Sequence, residues 1–343
     1  MSTSVQYVGL DVHKKVIAYC VKTKTGKVRD EGTIKATRQA LSEWTTRRKQ
    51  PWIGAMEATL FTGWIYDHLL PHARQLKVAH PAMLKAIAAS KKKNDRVDAR
   101  AIADLLRVDL LPECHMASKE IRELRQVLRY RHMVLKEVKR MKNKVSGLLM
   151  EVGAPYAKRR LHGKRYFAEL LANLEEVPDS VMDLIKISRS SLEMFEETER
   201  RLVNALKNHP GLRERVQRLM TIPGVGEIVA LTWALEIGDV TRFRTLRQAI
   251  SYCGLCSAQD SSAGKEKRGP ISKKRNKHLQ HVLIEAAKVA PQWNEALARV
   301  HTQELRRGNG NRATLAVARK MVAYLMAVDK HQKNYEMRLP AEQ

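Results

Sequence analysis

The 343-residue chain carries 63 Lys and Arg against 36 Asp and Glu, a formal net charge of +27 at pH 7. That excess is too large for a typical small-molecule enzyme and implies a polyanionic partner, of which nucleic acid is the common one. No apolar run is long enough to span or anchor in a membrane, and four cysteines in a chain this long exclude a disulfide framework.

Taken in order, Met1 to Ser4 lead straight into a strand without an apolar leader, which together with the cysteine usage gives the expectation of a protein of the reducing cytoplasm. Residues 5–21, VQYVGLDVHKKVIAYCV, read as two β-prone runs around one carboxylate, Asp11. An acid at the inner end of an apolar strand is costly to bury unless a cation or hydrogen bonds compensate it. The plain alternative is an Asp that caps the turn into His13-Lys14-Lys15. Residues 28–34 predict a third strand, and Thr37 caps a short helix through residue 48. Residues 52–57 form a strand ending on Glu57; a helix over 61–70 is broken by Pro71, and a strand over 76–79 stops at Pro81. Strands followed by helices in this order give a mixed α/β sheet.

Lys91-Lys92-Lys93 then runs into Asn94-Asp95-Arg96-Val97-Asp98-Ala99. Asn94 is the N-cap of a helix through residue 106, and Asp95 and Asp98, three apart, face the same side of its first turn. They would repel each other unless basic groups or a divalent ion relieve them; alternatively they favour the helix N-terminus electrostatically. Asp104 is out of register and is expected to face solvent.

Residues 118–149 and 181–206 carry apolar residues at three-four spacing with Lys and Arg between them, with Arg131 and Lys142 interrupting the seam. They predict a coiled-coil arm, with Gly153-Ala154-Pro155 breaking the first helix and a less regular helical stretch over 161–174. Pro210 ends the arm. Residues 219–226, LMTIPGVG, opening a helix over 227–235, match a helix-hairpin-helix turn in which Gly224 and Gly226 let backbone amides approach a phosphate. A tight interhelical turn without a ligand has the same pattern. After a helix ending near Tyr252 comes a polar loop with Ser257, Ser261 and Ser262, then Gly264, Lys265, Lys267, Arg268, Lys273, Lys274 and Arg275. An amphipathic helix over 276–289 follows, and a final apolar helix over 313–328 closes this domain. Serines in a basic loop are linker or nucleophile, and a nucleophilic serine would need neighbouring cations, a base or a metal. Cys253 and Cys256 have a metal-knuckle spacing, but without a second pair a zinc site would have to recruit His278 or His281.

The order of these motifs resembles one family, the insertion-sequence transposases that join an N-terminal DEDD, RuvC-like domain to a C-terminal serine-bearing domain and act as bridge-RNA-guided recombinases. The carriers are Gly9-Leu10-Asp11-Val12-His13-Lys14, Met56-Glu57-Ala58-Thr59, Lys93-Asn94-Asp95-Arg96-Val97-Asp98-Ala99, Ile222-Pro223-Gly224-Val225-Gly226, and Gly254-Leu255 with Ser261-Ser262-Ala263-Gly264 and Ile271-Ser272-Lys273. The resemblance covers nearly the whole chain. It implies an RNase H-like domain over 1–115, a helical coiled-coil arm over 116–209 and a mostly helical serine transposase domain over 210–343.

By that likeness Asp11, Glu57, Asp95 and Asp98 are the acid tetrad that binds Mg²⁺, and Ser262 is the nucleophile with Ser261 its rival. The chain departs from the family where Ala263 stands for the Gly after the serine, Ser257 for a Pro, and Arg275 for a Gly. Lys265, Lys267, Arg268, Lys273 and Lys274, with the two turn glycines, would contact nucleic acid. The implied partners are element-end and target DNA, a structured guide RNA encoded by the element, and further copies of the chain, as dimer or tetramer. Aromatics at 5% of residues argue against base-stacking platforms and suit phosphate-dominated contacts. Two alternatives follow from the residues. One is a structure-specific hydrolytic nuclease of the Holliday-junction type using the acids alone; the other is a basic nucleic-acid-binding protein without catalysis.

Overall fold

The protein is described by a computed structural model over residues 5–87, 94–175, 177–262 and 265–336, with backbone alone at 260–262 and 265–268. The chain forms two compact units, Met1–Lys119 and Glu120–Gln343.

The first unit contains β1 (Gln6–Val12), β2 (Val16–Lys22), β3 (Val28–Lys35), α1 (Arg38–Thr46), β4 (Trp52–Glu57), α2 (Thr62–Leu69), β5 (Gln75–Ala79), α3 (Pro81–Ile87) and α4 (Asp95–Arg107). The sheet order is β3-β2-β1-β4-β5. The first three strands are antiparallel neighbours, whereas β4 runs parallel to β1 and β5 parallel to β4. This is the expected mixed α/β sheet, and β1 lies at its centre.

Alternation sorts its side chains. Val8, Leu10 and Val12 join Trp52 and Met56 in a core with Leu41 and Trp44 of α1 and Ile65 and Leu69 of α2. On the other face Ala55 and Ala79 pack against Ile102 and Leu106 of α4. Thr37 caps α1 as its spacing predicts, accepting from Ala40 N. Asp104 keeps the solvent-facing side chain its register predicts, 44% exposed, and is paired as well. It accepts from Lys22 Nζ, a buried amine on β2, and pairs with Arg107 at 3.5 Å. A lysine pointing to the α4 face of the sheet needs an acid there.

The second unit opens with α5 (Lys119–Glu151), α6 (Lys164–Ala172) and α7 (Asp179–Lys207). At 33 residues, α5 is about 50 Å long. Val145, Leu148 and Leu149 of α5 pack with Phe167 of α6 and Ile185 of α7. The two residues that break the apolar seam are paired across it: Arg131 with Glu199 at 2.5 Å and Lys142 with Glu196 at 2.8 Å.

Beyond the arm stand α8 (Pro210–Met220), α9 (Glu227–Ile237), α10 (Leu246–Tyr252), α11 (Lys277–Val289), α12 (Glu295–Arg307) and α13 (Gly310–His331), with the ribbon β6 (Ser257–Ser262) and β7 (Lys265–Ile271). Pro210 does more than end the arm. It opens α8 at the first helical position, where a missing N–H is no loss. The stretches 257–262 and 265–271, expected as a polar loop, pair as an antiparallel ribbon, with Ser261 opposite Glu266 and Ser262 opposite Lys265. No apolar alternation announces these strands, because the ribbon has no apolar face to bury.

From Ala230 to Ile237 every residue of α9 is buried. That is how a helix apolar all round behaves in the middle of a core. Leu219 of α8, Leu279 and Leu283 of α11, and Val317 and Met321 of α13 surround it. Among the described residues no helix is long and apolar enough to cross a membrane.

Candidate active site

Asp11 is the next-to-last residue of the central strand and is only 6% exposed. Its side chain shares a face with Gly9, the α4 side of the sheet. A Cβ on Gly9 would stand 2.1 Å from the Ala99 carbonyl oxygen and 2.5 Å from the Ala103 nitrogen. The helix therefore lies directly on β1, and only Gly permits that approach. The buried stripe of α4 is Ala99, Ile102, Ala103 and Leu106. Continued toward the N-terminus at three-four spacing, that stripe reaches Asp95 and Asp98, so the two acids overhang the end of the strand where Asp11 sits.

The helix starts there because Asn94 caps it, its side-chain oxygen accepting from Arg96 N at 3.0 Å. Arg100 holds it laterally through a two-pronged bond to Glu31 of β3, both contacts at 2.7 Å, and Arg96 adds a third at 3.3 Å. That pairing with Arg100 keeps the Glu31 carboxyl below its ordinary range.

Glu57 ends β4. The parallel register pairs Leu10 with Met56, so Asp11 and Glu57 are the next residues along neighbouring strands, and alternation puts both on the face opposite Leu10 and Met56, the α4 side. The strand end is fixed by Thr62, whose hydroxyl donates to the Glu57 carbonyl at 2.8 Å and accepts from Thr59 N at 2.8 Å.

His13, two residues beyond Asp11 in the turn after β1, joins the acids. Its Nε2 lies 3.1 Å from Asp11 Oδ2 and 3.5 Å from Asp95 Oδ1. Asp11, His13 and Asp95 offer ligand atoms all within 4.8 Å of one another, the one such cluster among the described residues. The signal for His13 was its distance of two residues from a strand-end acid. Burial raises the Asp11 carboxyl above its usual range, the imidazole beside it lowers it, and Asp95 and Asp98 raise it again. A buried acid facing two further acids, with one half-exposed imidazole beside it, fits a bound divalent ion: hard oxygen donors plus a borderline nitrogen donor are that ion's chemistry.

The second unit holds the other candidates. The turn between α8 and α9 places Gly224 at φ +84°. A Cβ there would come within 2.6 Å of the Ala290 Cβ. Turn geometry and packing therefore explain Gly224 without a ligand, whereas Gly226, the N-cap of α9, meets nothing within 4 Å. Ser261 and Ser262 end β6; Lys265, Lys267 and Arg268 begin β7. Ala263 and Gly264 lie outside the described residues, as do Lys91 to Lys93. Lys273 and Lys274 are exposed in the turn that follows β7.

Arg275, standing where a glycine was expected, lies over Gly254, itself at φ +71°; a Cβ on that glycine would meet the Arg275 Cβ at 2.5 Å. Cys253 is buried, and burial pushes its thiol up to about 12. With Cys256 it forms no ligand cluster among the described residues.

Residues 8–153 match a family model for DEDD transposases of the IS110 type, described as Transposase, and residues 216–302 match the model described as Transposase IS116/IS110/IS902 family. The chain is 29% identical over 281 residues to the transposase for insertion sequence element IS1328 of Yersinia enterocolitica, covering 79% of this chain and 81% of that one. It is 26% identical over 288 residues to a probable family 20 transposase of Pseudomonas aeruginosa, covering 82% and 85%. With the transposase for insertion sequence element IS1111A of Coxiella burnetii it shares 27% identity over 348 aligned positions, covering 96% and 91%.

Proposed function

We propose, from the premise that this chain is an insertion-sequence transposase of the IS110 family, that it cuts and rejoins DNA through the acids Asp11, Glu57, Asp95 and Asp98 and a serine nucleophile, Ser262 or its neighbour Ser261. The observation that carries the reading is the gathering of Asp11, His13 and Asp95 at the end of the central strand, with Asp98 on the same helical stripe and Glu57 on the adjacent strand. We read the first unit as RNase H-like on its mixed sheet and its strand-end acid. We also keep a functional division into residues 1–115, 116–209 and 210–343.

The four acids would hold Mg²⁺. When bound, such an ion would stabilise the charge that develops on a scissile phosphate. The chain's own groups do the rest. The serine oxygen would bond to phosphorus as the P–O bond to the departing DNA oxygen breaks, and the serine proton would end on that oxygen, which leaves as a 3′-hydroxyl. The phosphate stays on serine, so a second DNA hydroxyl can later displace it without an outside energy source. Lys265, Lys267, Arg268, Lys273 and Lys274 would neutralise phosphates near the serine strand. The amides at Gly224 and Gly226 would face the backbone of the same DNA.

The net charge of +27 and the scarcity of aromatics suit a protein that reads nucleic-acid backbone and shape. Sequence choice by base pairing to a structured RNA encoded by the element agrees with both. Assembly as a dimer or tetramer, and action in the cytoplasm, complete the reading.

The test is mass spectrometry of protein trapped on cognate DNA with RNA and Mg²⁺. A phosphoserine–DNA link at residue 262 or 261 supports the proposal. Free ends with no adduct would replace it with the hydrolytic nuclease that uses the acids alone.

A further inference from the structure

Glu236 is the one acid in the buried run of α9, and its side chain is fully enclosed. Arg129 of α5 grips it with two prongs, Nε donating to Oε1 at 2.9 Å and the terminal amine to Oε2 at 3.0 Å. Arg125, one turn earlier, stands 3.8 Å from Oε2 and donates to the Leu235 carbonyl at 2.9 Å. From the opposite side Asn276 Nδ2 donates to Oε2 at 2.8 Å, and the Tyr252 hydroxyl donates to the Glu236 carbonyl at 3.1 Å.

Tyr252 and Asn276 are the two ends of the segment that carries the serine ribbon. Their backbones are joined, Asn276 N donating to Tyr252 O at 3.0 Å, and one rung farther Ser272 N donates to Cys256 O at 3.0 Å. The entering root is pinned again where Gln280 donates to Gly254 O at 2.6 Å and Arg319 to Leu255 O at 2.8 Å. The same Asn276 caps α11, its side-chain oxygen accepting from His278 N and Leu279 N.

A buried acid with two arginines is a poor way to gain stability, since apolar residues of similar volume commonly serve as well or better. What such a group supplies is direction: a forked pair and a short amide bond fix angles that apolar packing leaves loose. We infer that Glu236 is a positioning residue that locks the base of the serine ribbon, through Asn276, to the first helix of the arm. The inference rests on the proposed role of Ser262 or Ser261. Displacing a reacting group by about 1 Å costs roughly 100-fold in rate, so the angle at which the ribbon leaves its roots matters to chemistry at its far end.

Two substitutions in the full chain test this. Asn276→Ser keeps an oxygen to cap α11 but removes the donor to Glu236. Arg129→Lys keeps the charge but removes the fork. The expected result is faster amide exchange confined to residues 257–262 and 265–271, with an unchanged melting temperature. On cognate DNA, formation of the serine adduct slows by about 10- to 100-fold while DNA affinity holds. Ribbon exchange and adduct rate both unchanged in the two variants would overturn the inference. So would exchange that quickens uniformly through Glu120–Gln343 with a lowered melting temperature, the mark of a merely structural contact. If the unsubstituted protein forms no serine adduct, the nucleophile is wrong, and ribbon exchange alone still decides whether Glu236 holds the ribbon.

Discussion

Two buried carboxylates in this chain receive opposite treatment. Asp11 of the first unit is 6% exposed and Glu236 of the second is 0% exposed, so both pay the desolvation of an acid. Around Glu236 the fold supplies two arginines and an amide; burial pulls its carboxyl up, but the bonds from Arg129 and Asn276 and the arginine charges hold it below the usual range. Around Asp11 the fold supplies one half-exposed imidazole and then adds Asp95 and Asp98, and its carboxyl is raised. An acid completed by its own chain is structure. An acid surrounded by more acids is incomplete until a cation arrives, and the difference marks where chemistry is to be sought.

The sharpest way to break the comparison is to neutralise each acid. Asp11→Asn should abolish DNA cleavage, a fall of about 10³-fold or more, equivalent to roughly 4 kcal/mol of barrier. The metal-free protein should melt slightly higher, because a repelled buried charge is gone. A lowered melting point with cleavage retained would remove Asp11 from the site. Glu236→Ala should do the reverse to stability. Stranding Arg129 and Arg125 without their acid should cost about 3–4 kcal/mol in urea unfolding, with Mn²⁺ binding to the first unit unaltered. A loss below about 1 kcal/mol would mean that water already shares that cavity.

How far this contrast is legible in the sequence depends on the distance between partners. Strand-end Asp11, strand-end Glu57 and the Asp95–Asp98 pair follow from period and capping, which are local. The long helices α5 and α7 follow from three-four spacing, and the turn between α8 and α9 from its glycines. Glu236 carries no local signal, because its partners lie 107 residues before it and 40 after it and no periodicity links them. Within a helix of unbroken apolar character, an acid reads as an exception without an address. The serine ribbon was expected as a loop because strand signals are apolar alternation, and Ser257 to Ser262 and Lys265 to Ile271 have almost none. His13 needed the turn after β1 to be known before its ring could be aimed at Asp11 and Asp95.

Gly9 sharpens the comparison from the side of packing. Asp95 and Asp98 reach Asp11 because α4 lies against β1 without a side chain between them. Gly9→Ala would force a methyl against the Ala99 carbonyl and the Ala103 nitrogen, both backbone atoms that cannot turn aside. The helix must lift, at a cost of about 2–3 kcal/mol. Mn²⁺ affinity, read by electron paramagnetic resonance, should fall with it, since two of the acids ride on that helix. Intact Mn²⁺ affinity in a destabilised Gly9→Ala would show that Asp95 and Asp98 do not share the ion with Asp11.

The smallest expected effect concerns His132, which lies beside the Glu236 cluster and shows what that region does with a group it leaves unpaired by charge. Its ring packs on His278 at 4.8 Å between centroids, and its Nδ1 is 3.0 Å from the Leu128 carbonyl. Burial first, then His278 and Arg131, push its pKa down to about 4, against which the Leu128 bond and Glu236 pull weakly. In the unfolded chain the ring titrates near its ordinary value of about 6.5. Below about pH 4 both states are protonated and above about 6.5 neither is, so only between them does the unfolded chain hold the extra proton. Stability must therefore rise as pH increases from about 4 to 6.5. The gain from His132 is about 1–2 kcal/mol once solvent at the partly exposed ring is allowed for. His132→Phe should flatten that part of the urea-stability profile. A slope that survives the substitution would move the linkage to His278, whose pKa burial lowers as well. The neutral imidazole would then be a bystander to an acid cluster already saturated with positive charge.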